Sequence, residues 1–252
     1  MTIYKAEENP PPETRKEIGL VDLPEEAILC LRVNQRLLTK LSCTPLNLRE
    51  LIIGWLFTQG LIDTAADITG YRLGETSLQA HVRLNKELAP RLERYQPAAT
   101  TACSGGEVNL ELEKQLTPIR RHYPLETGQL IAMMKRIFPA GRLFLRHGGI
   151  HCALLADMRN QAMLTAIEDL GRSNAVDKVI GWGLLNGVDF SSTALFTTGR
   201  ISAEMVLKTV RAGIPCLVSL TTLTSRALDI ARKTGITIAG HILKPRPILI
   251  NF

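Results

Sequence analysis

Thr193-Ala-Leu-Phe-Thr-Thr-Gly-Arg-Ile-Ser-Ala-Glu-Met-Val-Leu-Lys-Thr-Val-Arg-Ala-Gly-Ile-Pro-Cys-Leu-Val-Ser219 carries a strand, a helix and a second strand in one short run. Thr193 to Thr197 and Cys216 to Ser219 are strand candidates. Ala203 to Ala212 between them is a helix candidate, with turn or capping chemistry at its ends. The alternation extends in both directions. Ile150 to Ala156 and Ala162 to Ile167 precede it as strands and Asn174 to Leu185 as a helix, while a helix at Thr224 to Lys233 and a strand at Ile236 to Ala239 follow. Such alternation predicts an α/β fold whose sheet is covered by helices on both faces.

Nearer the N-terminus the pattern changes. Ala27 to Val33 and Arg36 to Leu41 flank Asn34-Gln35 and predict a β-hairpin, which Pro45 ends. Apolar residues at Leu48, Leu51, Ile52, Trp55 and Leu56 have helical spacing, and Gly60 supplies a stop. Ile68 to Leu73 and Ser77 to Leu84 are further strand candidates around the turn-like Gly74-Glu75-Thr76. The chain therefore divides into a proline-containing lead over residues 1–24, a smaller α/β domain over 25–125, and a second domain over 126–252 that opens with a helix at Glu126 to Phe138.

With 252 residues, 45% hydrophobic and 21% charged, the composition is that of a soluble globular protein. No apolar run approaches the roughly 20 residues needed to span a bilayer. The first twenty residues mix acids with Pro10, Pro11 and Pro12 and lack the features of a secretory signal. A cytoplasmic protein with no membrane association is expected. A net charge of +6 and a pI near 9.2 favour an anionic partner. The basic residues are scattered and aromatics make up only 5%, which argues against nucleic acid and for a phosphorylated small molecule.

Five cysteines, Cys30, Cys43, Cys103, Cys152 and Cys216, form an odd set with no Cys-x-x-Cys pair. Free thiols in a reducing compartment fit better than a disulfide framework or a structural zinc site. Cys30, Cys43, Cys152 and Cys216 belong to apolar strand-like runs, where a cysteine acts as a small buried hydrophobe. Cys103 stands apart in Thr100-Thr-Ala-Cys-Ser-Gly-Gly106, a segment of small residues that reads as an exposed loop. Backbone amides of Ser104, Gly105 and Gly106 can form an anion nest that favours a thiolate. On the residues alone, an inert loop cysteine and a nucleophile both remain open.

Several polar segments sit where strands end. Arg146-His147-Gly148-Gly149-Ile-His151 precedes a strand, and its glycines let a ligand approach the backbone, with phosphate or pterin contact favoured over metal. Glu168-Asp169-Leu-Gly-Arg172-Ser-Asn174-Ala-Val-Asp-Lys178 links a strand to a helix. Arg172 can hold phosphate there while Asp169 and Asn174 read a heterocycle, or the same residues cap the helix and pair Asn174 with Lys178. Thr197-Thr-Gly199-Arg200 with Ser202, Glu204 and Lys208, and Thr221-Thr-Leu-Thr224-Ser225, repeat the arrangement. Three donor-rich strand-to-helix loops suit one pocket for a polyanionic ligand.

These blocks, in this order, resemble the signature of the formate dehydrogenase accessory sulfurtransferase family, from about residue 26 to the C-terminus. An N-terminal block, Leu48-Arg-Glu-Leu-x-x-Gly-Trp-Leu-Phe-x-x-Gly-Leu-Ile62, is similar as well. The resemblance implies a homodimer whose second domain has a cytidine-deaminase-like, three-layer α/β/α fold. It further implies that Cys103 is catalytic, receiving sulfur from a cysteine desulfurase as a persulfide. The sulfur then goes to bis-molybdopterin guanine dinucleotide bound as cargo, before that cofactor is inserted into the formate dehydrogenase catalytic subunit. Guanine nucleotide would mimic the cofactor. His147, Gly148, Gly149, His151, Asp169, Arg172, Asn174, Lys178, Gly199, Arg200, Thr224 and Ser225 are the implied cofactor contacts. The near-terminal His241, Ile242, Leu243, Lys244, Pro245 and Arg246 complete the set, and no resident metal, zinc included, is expected. Gly106 stands where a second loop cysteine is common, and Ser173 where a histidine is common. The alternative is a non-catalytic chaperone that binds the guanine dinucleotide cofactor and delivers it to the apoenzyme. No His-x-Glu or Pro-Cys-x-x-Cys occurs, so zinc-dependent deamination is excluded.

Overall fold

Asn34 and Gln35 both adopt positive φ, 47° and 72°, as a two-residue hairpin turn requires. In the computed structural model, which describes residues 23–74, 78–95, 117–119 and 126–251, this turn joins β1 (Ala27–Val33) to β2 (Arg36–Cys43). β3 (Ile68–Leu73) and β4 (Gln79–Leu84) complete a four-stranded sheet in the order β2-β1-β4-β3, with β4 parallel to β1. Alternation sends Leu29, Leu31, Val33, Ala80, Val82 and Leu84 to one face, where they are buried. α1 (Leu48–Thr58) is part of the same apolar cluster, and nine of its residues are buried. A helix so uniformly apolar is stable only between two layers.

The second layer is the helix after β6. A short α2 (Ala89–Arg94) closes the first sheet's region, and α3 (Thr127–Lys135), α4 (Ile137–Ala140) and α5 (Arg142–His147) lead into the second. There β5 (His151–Asp157), β6 (Ala162–Asp169), α6 (Arg172–Leu185), β7 (Thr193–Thr197), α7 (Ala203–Arg211), β8 (Cys216–Ser219), α8 (Ser225–Thr234), β9 (Thr237–Gly240) and β10 (Ile248–Ile250) follow in turn. The six-stranded sheet has the order β10-β9-β8-β7-β5-β6. β7, β8 and β9 are parallel, while β5 and β10 run antiparallel to their neighbours.

Helices cover both faces, in an uneven division. Successive crossovers from β7 to β8 to β9 keep one hand and fall on one side, so α6, α7 and α8 share the face of Ala153, Leu155, Leu195, Leu217 and Ile238. The opposite face, Cys152, Leu154, Phe196, Cys216 and Val218, packs on Leu130, Met133, Met134 and Ile137. This mixed, three-layer arrangement is compatible with the deaminase-like expectation. The apolar cluster containing α6 to α8 also contains α1 and the first sheet, so one core runs through both proposed domains. Three elements were not expected from the sequence, α2, α5 and the edge strand β10. Among the described residues no helix is long and apolar enough to cross a membrane.

Candidate functional site

Strand direction gathers the polar segments at one end of the six-stranded sheet. His151 at the start of β5 lies opposite Asp169 at the end of β6, and Ala153 lies opposite Thr197 at the end of β7. The parallel β8 and β9 end on the same side. The loops holding Gly148-Gly149, Gly171-Arg172, Thr198 to Arg200, Thr221 to Ser225 and Gly240 to Arg246 therefore share the carboxyl end of the parallel strands, where open α/β sheets collect ligands.

Small polar residues fix the backbone of this end. Gly199 N donates to Thr197 Oγ1 (3.0 Å) and Cys152 N to Thr198 Oγ1 (3.0 Å). Ser219 Oγ donates to Gly199 O (2.7 Å) and accepts from Thr221 N (2.9 Å), and His241 N donates to Thr221 O (2.7 Å). Three consecutive strand ends are thus tied together in series. Gly199 has a packing reason to be glycine: an added Cβ would lie 2.7 Å from Arg172 Cβ, so its absence lets the Arg172 side chain cross the end of β7.

His151 is half-buried, with Nδ1 3.4 Å from Thr198 Oγ1. Burial, and then the positive fields of Arg172 and Arg200, hold its pKa below the usual histidine value against the pull of Asp169. It is therefore neutral at pH 7, able to donate at one nitrogen and accept at the other. Arg200 is exposed, as are Lys244, Pro245 and Arg246. His241 sits in the left-handed region (φ 50°), and its Nδ1 is buried with no hydrogen-bond partner among the described residues. The end of the sheet is thus a cationic basin with one neutral imidazole, that of His151, suited to a pyrophosphate-bearing ligand. Replacing Arg200 with alanine is expected to raise the His151 pKa in a proton NMR titration. An unchanged titration would separate the two residues.

Six expected contacts play a different part. Asp169 and Lys178 are both fully buried and form an ion pair of 2.7 Å. Asp169 also accepts from Thr44 N (3.2 Å), Gly171 N (2.8 Å) and Asn174 Nδ2 (2.9 Å), while Lys178 donates to Thr44 O (3.0 Å) and Glu168 O (3.3 Å). Asn174 Nδ2 further donates to Ser42 O (2.8 Å). All three are turned inward, joining β2 and its following loop to α6, so they position the basin rather than line it. The i, i+4 pairing of Asn174 with Lys178 is replaced by Asp169 as the common partner. Thr224 Oγ1 accepts from Ala227 N (3.3 Å) and so caps α8, beside an exposed Ser225. Ile242 is core and Leu243 packs against it, because the apolar pair continues the cluster beneath β9.

Glu168 accepts from Leu143 N (3.0 Å) and Phe144 N (2.6 Å), holding the start of α5 to β6. α5 carries Arg146 and the half-buried His147 and ends at Gly148 (φ 68°), where nothing crowds a Cβ and the backbone conformation is what favours glycine. A second buried network was not expected from the sequence. Lys208 donates to Asp177 (2.5 Å) and Ser173 (2.6 Å) and pairs with Glu204 (3.2 Å), Ser173 bonds Glu204, and Thr58 donates to Asp177 (2.7 Å). Burial pushes the Asp177 carboxyl up to about 6 against the pull of Lys208 and Thr58. Ser173 and Lys208 read as surface decoration only if α6 and α7 are taken one at a time.

Cys103 and Gly106 lie outside the described residues. Of the other cysteines, Cys43, Cys152 and Cys216 are buried and Cys30 is half-buried on β1. Among the described residues no three His, Cys, Asp or Glu side chains are grouped to hold a metal ion.

Comparison with known proteins agrees with this architecture. The sulfur carrier protein FdhD of Halalkalibacterium halodurans is 31% identical over 249 residues, covering 93% of this chain and 91% of its own. The protein of the same name from Staphylococcus aureus (strain MRSA252) is 28% identical over 217 residues, covering 85% and 81%. A crystal structure from Desulfotalea psychrophila, provisionally assigned as a formate dehydrogenase accessory protein, matches with a TM-score of 0.73 over 90% of this chain and 87% of that one, at 26% identity. Residues 24–249 match the family described as FdhD/NarQ, and this chain belongs to the FdhD/NarQ family.

Proposed function

We propose that this chain is a sulfur carrier for formate dehydrogenase, in which Cys103 accepts sulfur from a cysteine desulfurase as a persulfide. The sulfur passes to bis-molybdopterin guanine dinucleotide, held at the strand-end basin, before that cofactor enters the formate dehydrogenase catalytic subunit. The observation that carries the proposal is the condition of the other thiols. A carrier needs a thiolate that its donor can reach. Burial pushes Cys43 up to about 11, with Asp169 adding to the rise. Burial likewise pushes Cys152 and Cys216 up to about 12. These three stay protonated and out of reach at neutral pH. Cys30 is fixed on a regular strand, which leaves the Ser- and Gly-flanked Cys103 as the thiol suited to transfer. The names of the relatives, sulfur carrier proteins, support the same chemistry.

In the first step the Cys103 thiolate attacks the outer sulfur of the donor's persulfide. A new S–S bond forms as the donor's S–S bond breaks, and the donor cysteine leaves as thiolate. Cys103 hands the sulfur on when a nucleophile attacks that outer atom and the Cys103 thiolate departs. With Gly106 where relatives commonly have a second cysteine, the sequence around Cys103 offers no second thiol to divert the persulfide into a disulfide. At the basin, Arg200, Lys244 and Arg246 are the exposed cations placed to meet a pyrophosphate, and neutral His151 adds a hydrogen bond without charge. A homodimer in a reducing, cytoplasmic setting completes the proposal.

Complementation of a strain lacking its own accessory protein tests the assignment. Wild type and Cys30→Ala are expected to restore formate dehydrogenase activity, and Cys103→Ala to restore none. Activity retained by Cys103→Ala and lost by Cys30→Ala would move the carrier thiol to β1.

A further inference from the structure

The four-stranded sheet has an outer face turned away from α1. Arg32 on β1 and Arg72 on β3 both lie opposite His81 on β4, so three basic side chains cross adjacent strands in one row. Neighbouring strands are about 4.8 Å apart, which keeps the row compact. Arg83, two residues beyond His81 on the same face, lies over Gly70, where an added Cβ would be 3.3 Å from Arg83 Nε. The missing side chain at Gly70 is what allows the guanidinium to lie across β3. Together these residues line a groove of about 780 Å³ in which, among the described residues, no Asp or Glu takes part.

Arg72, His81 and Arg83 are exposed, and none of the four basic groups forms an ion pair among the described residues. Arg32 Nη1 donates to Gln35 O (3.3 Å), and Asn34 Oδ1 accepts from Leu84 N (3.1 Å), so the hairpin turn fixes one end of the groove. Clustered like charge on a sheet face costs stability. Three guanidinium forks facing one concavity match the bidentate geometry of phosphate oxygens. The volume falls within the several hundred Å³ typical of small-molecule sites. Among the described residues Tyr71 is the one Phe, Tyr or Trp lining the groove, too few for the successive stacking platforms of single-strand binding.

We propose that this face is a second anion site, binding a small ligand that carries a pyrophosphate group. It shares no residue with the strand-end basin and stands independently of the sulfur-carrier proposal. Calorimetry and amide NMR with inorganic pyrophosphate, on the full chain at physiological salt, test it. Saturable binding should shift the amides of Gly70, Gly74 and Gln79 and survive in Arg200→Ala. Arg72→Ala/Arg83→Ala should weaken it at least about tenfold, as expected for losing two charge-assisted contacts. Gly70→Ala, which displaces Arg83 without removing its charge, should weaken it as well. Absence of saturable binding, an unchanged isotherm in the double variant, or loss of all binding in Arg200→Ala would overturn the proposal. So would tighter binding of a hexaglutamate peptide or a single-stranded oligonucleotide to the same residues.

Discussion

Gly181→Ala is expected to cost about 4 kcal/mol or more of folding stability, at the upper end of what single substitutions do. α1 and α6 touch backbone to backbone. A Cβ at Gly181 would fall far inside contact distance of Glu50 O and 2.8 Å from Gly54 N, and one at Gly54 would overlap Asp177 O in the same way. Neither neighbour is a side chain that can swing aside, so the helices must separate along the most extensive helix pairing among the described residues. That loss is a large part of the roughly 5–15 kcal/mol that holds a domain folded. Urea denaturation should show a lower midpoint with the slope unchanged. Gly128→Ala is the control. Nothing lies within 4 Å of its added Cβ, so it should be neutral or stabilising by up to about 1 kcal/mol. Equal stability in both variants would mean that α1 and α6 do not meet at these glycines.

Lys178→Met should cost about 3–5 kcal/mol, because it leaves the Asp169 carboxylate buried without its cation. The three N–H donors that remain on Asp169 place the expected loss toward the lower figure. Adding Asp169→Asn to the methionine variant should recover part of the stability, since the uncompensated charge is then gone. A double-mutant cycle measures that coupling directly. Strictly additive losses would show that the pair does not act as a unit. The same substitution should weaken guanine-nucleotide binding without removing any ligand contact, because Asp169 holds Gly171 N and the end of β6 beside His151.

The elements along the C-terminal two-thirds were legible because each solves its local problem with short-range signals. β7 and β8 occupy the expected residues, and Asn34-Gln35 closes the expected hairpin. The polar run from Arg172 to Lys178 was legible as important but not in its role. Polar density suggested a ligand, whereas Thr44, Ser42, Thr58 and Lys208 arrive from distant segments to satisfy it. One sequence signal for this was available. Glycines inside helices cost about 1 kcal/mol each, so Gly54 and Gly181 in two helical runs mark a close backbone approach. β10 spans three residues directly after Pro245 and Pro247, too short for any periodicity to register. The loop ends of the basin followed from strand direction, which the sequence does not encode locally.

Intact mass measurement after incubation with a cysteine desulfurase and cysteine is the most direct test of the sulfur-carrier account. The wild-type chain should gain the mass of one sulfur atom, lose it on treatment with a thiol reductant, and gain none as Cys103→Ala. A wild-type chain that takes up no sulfur, yet binds GDP and still activates formate dehydrogenase, would contradict the account and leave a cofactor chaperone in its place.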